Sequence, residues 1–173
     1  MDIKQIHENP PYGLIAILFI GAFAALLNNT LLNIALPTIM TEFAVSPSKV
    51  QWVTTSYMLV NGILIPVSAF FIQRFTNRSI FLWAMGLFTL GTLTAMIAPS
   101  FLVLIAGRML QASGSGLMMP LLMNVILIAF PVERRGTAMG IFGLVMFVAP
   151  AIGPTLSGWV IEHYSWRTLF AII

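Results

Sequence analysis

The chain has 173 residues, of which 59% are hydrophobic and 8% are charged, and its mean hydropathy is +0.98. Since soluble domains carry about 25% charged residues, this composition excludes an ordinary soluble domain and indicates a membrane protein. The net charge is +3, and the basic residues stand in short gaps between apolar runs. Membrane topology explains that placement, so it does not indicate nucleic-acid binding. The chain has no cysteine, which excludes disulfides and thiolate sites.

The first two predicted elements are membrane-spanning helices that follow a short tail. Residues 1–13 are predicted to form a cytoplasmic N-terminal tail. No charged residue lies between Glu8 and Glu42, and about 20 apolar residues suffice to cross a membrane, which predicts span one at about 14–40. Span two is predicted at about 50–72, after a polar gap.

Arg108 is the only charged residue in the next stretch, 79–132. As one helix this stretch would be roughly 80 Å long, more than twice the hydrocarbon thickness, so two spans are predicted. Proline ends a helix and disfavours helical backbone in the residue before it. The break is therefore placed at Pro99, with span three at about 79–98 and span four at about 101–130.

Span five is predicted at about 137–161, after a charged turn at 131–136. The apolar run at 168–173 is too short to cross a membrane and is interpreted as the start of a sixth span. That short run favours a chain that is the front part of a longer protein. The predicted fold class is an all-α membrane protein with five complete transmembrane helices and the start of a sixth.

Basic residues near the span ends predict the orientation, because Lys and Arg accumulate on the cytoplasmic side. With the N-terminus inside, Lys49 and Arg167 lie on the outer side. The inner side then holds Lys4, Arg74, Arg78, Arg134 and Arg135. The sequence therefore predicts a cytoplasmic N-terminus.

Arg108 is the main functional candidate, since a guanidinium in hydrocarbon costs roughly 2.5 to 3.5 kcal/mol or more. It lies about eight residues, or roughly 12 Å, inside span four. Its side chain could extend outward to the membrane interface. The polar residues Gln111, Ser113 and Ser115 on the same turns favour a polar cavity instead.

Span one carries the amides Asn28, Asn29 and Asn33, of which Asn29 and Asn33 lie on one helix face. Amides in a membrane span need partners on other helices or in a hydrated cavity. Hydrogen bonding between helices and a ligand-facing role both remain open for them.

Span five is rich in glycine and proline. Gly136 and Gly140 form a GxxxG pair suited to close helix packing. Pro150 and Pro154 each remove a backbone donor and predict two bends or loosened turns. An ordinary kinked packing helix is the alternative interpretation.

No enzyme, metal site or cofactor is predicted. Both histidines, His7 and His163, lie outside the spans, so no buried base is available to activate a serine. The acidic residues lie at termini or in loops, which excludes a carboxylate metal site within these spans. No phosphate-binding loop is present, so the sequence gives no support to ATP-driven transport.

Four strings occur together in a specific order. LNNTLLNIALPTI at 27–39 is similar to an L-D-x-T-x-x-N-x-A-L-P element, and VQWVTTSYML at 50–59 is similar to the start of the second helix of the same proteins. Span four matches R-x-x-Q-x-x-G-x-G, and 149–158 resembles an antiporter motif. Together they resemble the N-terminal part of a major facilitator superfamily transporter, most closely the fourteen-helix drug/proton antiporters of the EmrB/QacA type, including lincomycin-resistance-like proteins.

The resemblance implies that 14–173 is part of the N-terminal domain of a transporter that works by alternating access. The implied activity is proton-coupled export of drugs or other amphipathic small molecules. The implied partners are the lipid bilayer, the substrate, protons and further C-terminal helices, in the plasma membrane of a bacterium. Residues carried over as coupling or cavity groups are Arg108, Gln111, Asn28, Asn29 and Asn33. Those carried over for packing and bending are Gly114, Gly116, Gly143, Pro150, Gly153, Pro154 and Gly158, and those of the cytoplasmic loop motif are Arg74 and Arg78.

The chain departs from this pattern at several positions. Asn28 stands where the pattern has an aspartate. In the loop motif Ala69, Gln73 and Thr76 replace a glycine, an aspartate and a glycine, while Ala149 and Ser157 stand where span five usually has glycines. Two alternative functions remain: a facilitator or importer of a small metabolite, and a truncated membrane subunit that does not transport.

Overall fold

The computed structural model of the chain describes residues 12–173 as a bundle of helices without strands. Five helices are long and apolar enough to cross a membrane, as predicted. In chain order the helices are α1 (Tyr12–Glu42), α2 (Pro47–Val50), α3 (Trp52–Arg74), α4 (Asn77–Met96), α5 (Phe101–Ala129), α6 (Val132–His163) and α7 (Arg167–Ile172). The predicted tail at 1–13 lies almost wholly outside the described residues.

Side-chain caps fix several helix starts. Ser46, Thr76 and Ser100 each accept a hydrogen bond from the backbone N–H three residues ahead, at the starts of α2, α4 and α5. Helix α6 begins at Val132, ahead of the predicted start of span five near 137, because the charged turn forms its first turn. There Glu133 lies near the positive end of the helix dipole.

Helix α5 is the centre of the bundle, in contact with α1, α3, α4 and α6. Its closest neighbour is α4, and glycines permit that approach. A Cβ added at Gly114 would lie 2.2 Å from the carbonyl oxygen of Ala84, and one added at Gly91 would lie 2.3 Å from the backbone nitrogen of Gln111. The two backbones therefore meet where a methyl group does not fit.

The packing predicted for the glycines of span five is only partly present. Gly153 packs tightly, since an added Cβ would lie 2.7 Å from Cγ2 of Thr30 on α1. Gly143 and Gly158 have no such neighbour within 4 Å in the described chain, and the same is true of the pair at 136 and 140. The α-helix also runs without interruption through both prolines.

Buried apolar side chains form two clusters, one at each end of the bundle. The first includes Ile15 and Leu122, and the second includes Ile39 and Leu104. The buried polar residues of α4 and α5 fall between them in sequence: Thr92, Arg108, Gln111 and Ser115. On α1 the buried Asn28 directly follows Leu27, where the second cluster begins. A polar layer therefore crosses the bundle near the middle of these helices.

Candidate functional site

Arg108 lies in this polar layer with a side chain that is 0% exposed. Its Nη1 donates a hydrogen bond of 2.6 Å to Oε1 of Gln111, and its Nε donates one of 3.4 Å to the carbonyl oxygen of Val53 on α3. The guanidinium carbon lies 4.1 Å from the ring centroid of Tyr57. The side chain thus points into the bundle, which rules out the outward extension to the interface considered from the sequence.

Gln111 connects the arginine to α4. Residues three apart on a helix share a face, which brings Gln111 beside Arg108. The Nε2 of Gln111 donates a 2.7 Å hydrogen bond to Oγ1 of Thr92, whose hydroxyl donates to the carbonyl oxygen of Phe88 at 2.7 Å. A continuous hydrogen-bonded chain therefore holds the guanidinium in one position.

The charge of Arg108 has no carboxylate partner among the described residues, whose only salt bridge joins Glu42 and Arg167. Its Nη2 is buried and makes no hydrogen bond within the described residues. A buried cation without a counter-ion is costly, so the Tyr57 ring and the neutral dipoles carry its stabilisation. The Nη2 group is therefore a donor without an acceptor, and a carboxylate or another acceptor would satisfy it.

A cavity of about 200 Å³ opens between α1, α3, α5 and α6. Tyr57 lines it and donates a 2.8 Å hydrogen bond to Oγ of Ser115. The Ser115 hydroxyl lies 3.0 Å from Oδ1 of Asn61 and 3.2 Å from the carbonyl oxygen of Ala112, as alternative acceptors. The remaining lining residues are Ala25, Leu26, Asn29, Ile65, Met119 and Met146.

Tyr57 lies between the arginine cluster and the cavity. The face of its ring lies against the guanidinium of Arg108, and its hydroxyl belongs to the hydrogen-bonded chain that ends at Asn61 in the cavity wall. Tyr57 therefore contacts both the buried guanidinium and the cavity.

The amide side chains that were predicted to line a cavity lie at different positions in the bundle. Asn29 lines the cavity, and its buried Oδ1 has no partner in the part of the chain that the structure describes. Asn28 is 1% exposed, with an unpaired Nδ2. Asn33 is exposed and accepts a 3.0 Å hydrogen bond from Thr54 on α3, whereas Gln111 belongs to the arginine cluster. Ser113, predicted beside the cavity, is half-buried and donates to the carbonyl oxygen of Met109 instead.

Two basic residues near the predicted cytoplasmic loops contact groups that are close to them in sequence. Arg74 lies over the ring of Phe70, with 4.7 Å from its guanidinium carbon to the centroid. Arg135 donates to the carbonyl oxygens of Leu127 and Phe130 at the C-terminal end of α5, where a cation is favourable. Arg78 is exposed. Arg135 therefore ties the start of α6 to the end of α5, at the side predicted to be cytoplasmic.

The opposite end of the bundle carries an ion pair that the sequence did not predict. Glu42, at the end of α1, accepts hydrogen bonds from Nε1 of Trp166 and Nη1 of Arg167. Nη2 of Arg167 donates to the carbonyl oxygen of Ala98 at 3.1 Å. This cluster ties the end of α1 to the start of α7.

The whole described chain apart from its first residues matches one known family. Residues 18–173 match the Major Facilitator Superfamily. The chain belongs to this superfamily. The resemblance predicted from the four strings is confirmed, and a superfamily of transporters agrees with the absence of an enzyme motif. The protein is a multi-pass protein of the bacterial cell membrane.

The chain is similar to several members of the superfamily. An uncharacterized MFS-type transporter, YhcA of Bacillus subtilis, is 58% identical over 96% of this chain and 31% of its own length. The lincomycin resistance protein LmrB of the same organism is 48% identical, over 90% and 32%. The multidrug export protein EmrB of Haemophilus influenzae is 34% identical, over 90% and 30%. The chain thus spans about a third of the length of these superfamily members.

Sequence reasoning missed Tyr57, Asn61 and Thr92. Tyr57 and Asn61 are four residues apart in an apolar span, a spacing that places two polar groups on one helix face. That signal was present in the sequence. Their contact with Arg108 and Ser115 was not, because it depends on how α3 packs against α5.

Proposed function

We propose that the full-length protein exports drugs or other amphipathic small molecules in exchange for protons, as a secondary active transporter. The observation that carries the proposal is the buried, uncompensated Arg108, connected through Tyr57 to a cavity between four spans. A buried ionisable side chain in a membrane protein marks an ion or substrate pathway by default. The names of the relatives LmrB and EmrB, which refer to lincomycin resistance and multidrug export, support export as the direction.

Arg108 suits proton coupling because one of its donors, Nη2, is free. Because Arg108 is buried within the described residues, a carboxylate from the rest of the transporter would reach this donor only in a conformation that opens the bundle around it. There the carboxylate would pair with the donor when ionised and leave it when protonated. The two protonation states would thus favour different positions of Arg108. A proton moves the equilibrium between two conformations only through such a difference in binding.

The chain of Tyr57, Ser115 and Asn61 carries this difference to the substrate cavity. Substrate binding and proton binding would then compete through one arrangement of side chains, as exchange requires. Alternating access by rocking of two half-bundles presents the cavity to each side of the membrane in turn.

Transport by everted membrane vesicles from cells that make the full-length protein tests the proposal. Uptake of a fluorescent drug is expected when respiration establishes a proton gradient, and it should cease when a protonophore collapses that gradient. Vesicles from cells without the gene are the control. Downhill movement that ignores the protonophore would instead identify a facilitator, and no movement would favour the subunit that does not transport.

A further inference from the structure

All polar side chains that line the cavity are neutral: Asn29, Tyr57, Asn61 and Ser115. Within residues 12–173 the acidic side chains are confined to helix ends, at Glu42, Glu133 and Glu162. No described carboxylate is therefore placed to neutralise a positively charged molecule in the cavity.

A full positive charge lies directly behind the cavity wall. The guanidinium of Arg108 contacts the ring of Tyr57, whose hydroxyl belongs to the hydrogen-bonded chain along that wall. Buried charges are screened little by salt and act through a low dielectric. The ring of Tyr57 already interacts with one cation, which makes it a poor partner for a second. A cation in the cavity would meet a repulsion that no carboxylate among residues 12–173 compensates.

The groups left free in the cavity suit a neutral molecule. Asn29 lines the cavity and has an unpaired acceptor, Oδ1, which is buried in this structure. Asn61 uses its oxygen toward Ser115, and its amide nitrogen has no hydrogen bond within the described chain. Met119 and Met146 add flexible, polarisable thioethers, which adapt to apolar bodies of different shape. An amide donor, an unpaired acceptor that a rotation of the Asn29 side chain would expose, and an adaptable apolar wall match an uncharged molecule with hydrogen-bonding groups.

We propose that this cavity selects uncharged amphipathic molecules that carry hydrogen-bonding groups, and discriminates against lipophilic cations. The proposal rests on the proposed function, because it takes the cavity to hold the transported substrate. The volume of about 200 Å³ receives part of a drug-sized molecule, and the remainder extends from the open side.

Equilibrium binding to the purified full-length protein tests this selection without any proton gradient. The probes are chloramphenicol, which is uncharged, and tetraphenylphosphonium, a lipophilic cation. The dissociation constant of chloramphenicol is expected to be at least tenfold lower. Equal or tighter binding of tetraphenylphosphonium, or no binding of chloramphenicol, would overturn the proposal.

Asn61→Asp places a carboxylate in the cavity and is expected to tighten tetraphenylphosphonium binding by about tenfold. Asn124→Asp is the matched control, because Asn124 lies on α5 away from the cavity, with its amide toward Asn77. It should leave both affinities unchanged. An Asn61→Asp protein without this gain contradicts the electrostatic argument, and the comparison of the two probes in the unaltered protein stands even if that variant does not fold. Since binding needs no gradient, a failure of proton exchange in vesicles leaves this result intact.

Discussion

At the scale of single residues, Arg108 is stabilised by neutral partners. Hydrogen bonds to a charged group are worth about 1.5 to 3 kcal/mol each, and a desolvated cation–π contact about 2 kcal/mol or more. These gains offset an effective desolvation penalty of several kcal/mol. The Tyr57 ring is therefore a necessary part of the site, although it is not one of the residues carried over from the family pattern.

Two substitutions of Tyr57 separate its roles. Tyr57→Phe keeps a ring over the guanidinium and loses only the hydrogen bond to Ser115, so thermal unfolding of the purified full-length protein should change little. Tyr57→Leu removes the ring as well and is expected to cost about 2 kcal/mol. Equal losses of stability in the two variants would show that the cation–π contact contributes nothing.

The sequence predicted the position of Arg108 but not its partners. Its cost in hydrocarbon can be calculated from one span alone, and Gln111 follows from helical spacing. Tyr57, Thr92 and the carbonyl of Val53 come from two other spans, α3 and α4. Which residues face α5 depends on the rotation of those helices, and their nearly continuous apolar composition does not specify it.

At the scale of elements, the packing of α4 against α5 determines where the cluster around Arg108 lies. Gly91 on α4 lies against the backbone of Gln111, one of the residues that hold the guanidinium. The sequence motif identified Gly114 and Gly116 as packing positions, and both have close neighbours. It also indicated Gly143 and Gly158, which have none here, because a glycine pattern does not show which face of α6 meets another helix.

Gly91→Ala and Gly86→Ala form a matched pair on α4. The added methyl group at 91 would overlap the backbone of α5, whereas at 86 nothing lies within 4 Å. Overpacking costs about 1 to 3 kcal/mol, so Gly91→Ala should lower the unfolding temperature of the full-length protein and Gly86→Ala should not. Equal unfolding temperatures would contradict the close approach of the two helices.

At the scale of the whole molecule, the fold class and the number of helices long enough to cross the membrane followed from hydrophobic length. That signal is strong because a membrane span must satisfy all its backbone hydrogen bonds internally. The start of α6 could not be read from hydrophobic length, because the first turn of a helix tolerates charged residues. The orientation remains a prediction from the basic residues of the loops.

Labelling of intact cells tests the orientation. The chain has no cysteine of its own. Ser48 in the short helix α2 and Gln73 in the last turn of α3 are both exposed, and they lie at opposite ends of α3. A membrane-impermeant maleimide should label Ser48→Cys from outside and label Gln73→Cys only after the membrane is permeabilised. The reverse pattern would place the N-terminus outside.

The central claim is that the buried guanidinium of Arg108 couples protons to export, and its replacement tests this most directly. In everted vesicles, the full-length Arg108→Ala protein should lose gradient-driven drug accumulation while its amount in the membrane equals that of the unaltered protein. Arg108→Lys should restore only a fraction, because an ammonium keeps the charge without the planar donor geometry. Unchanged accumulation by Arg108→Ala, at equal protein levels, would contradict the claim.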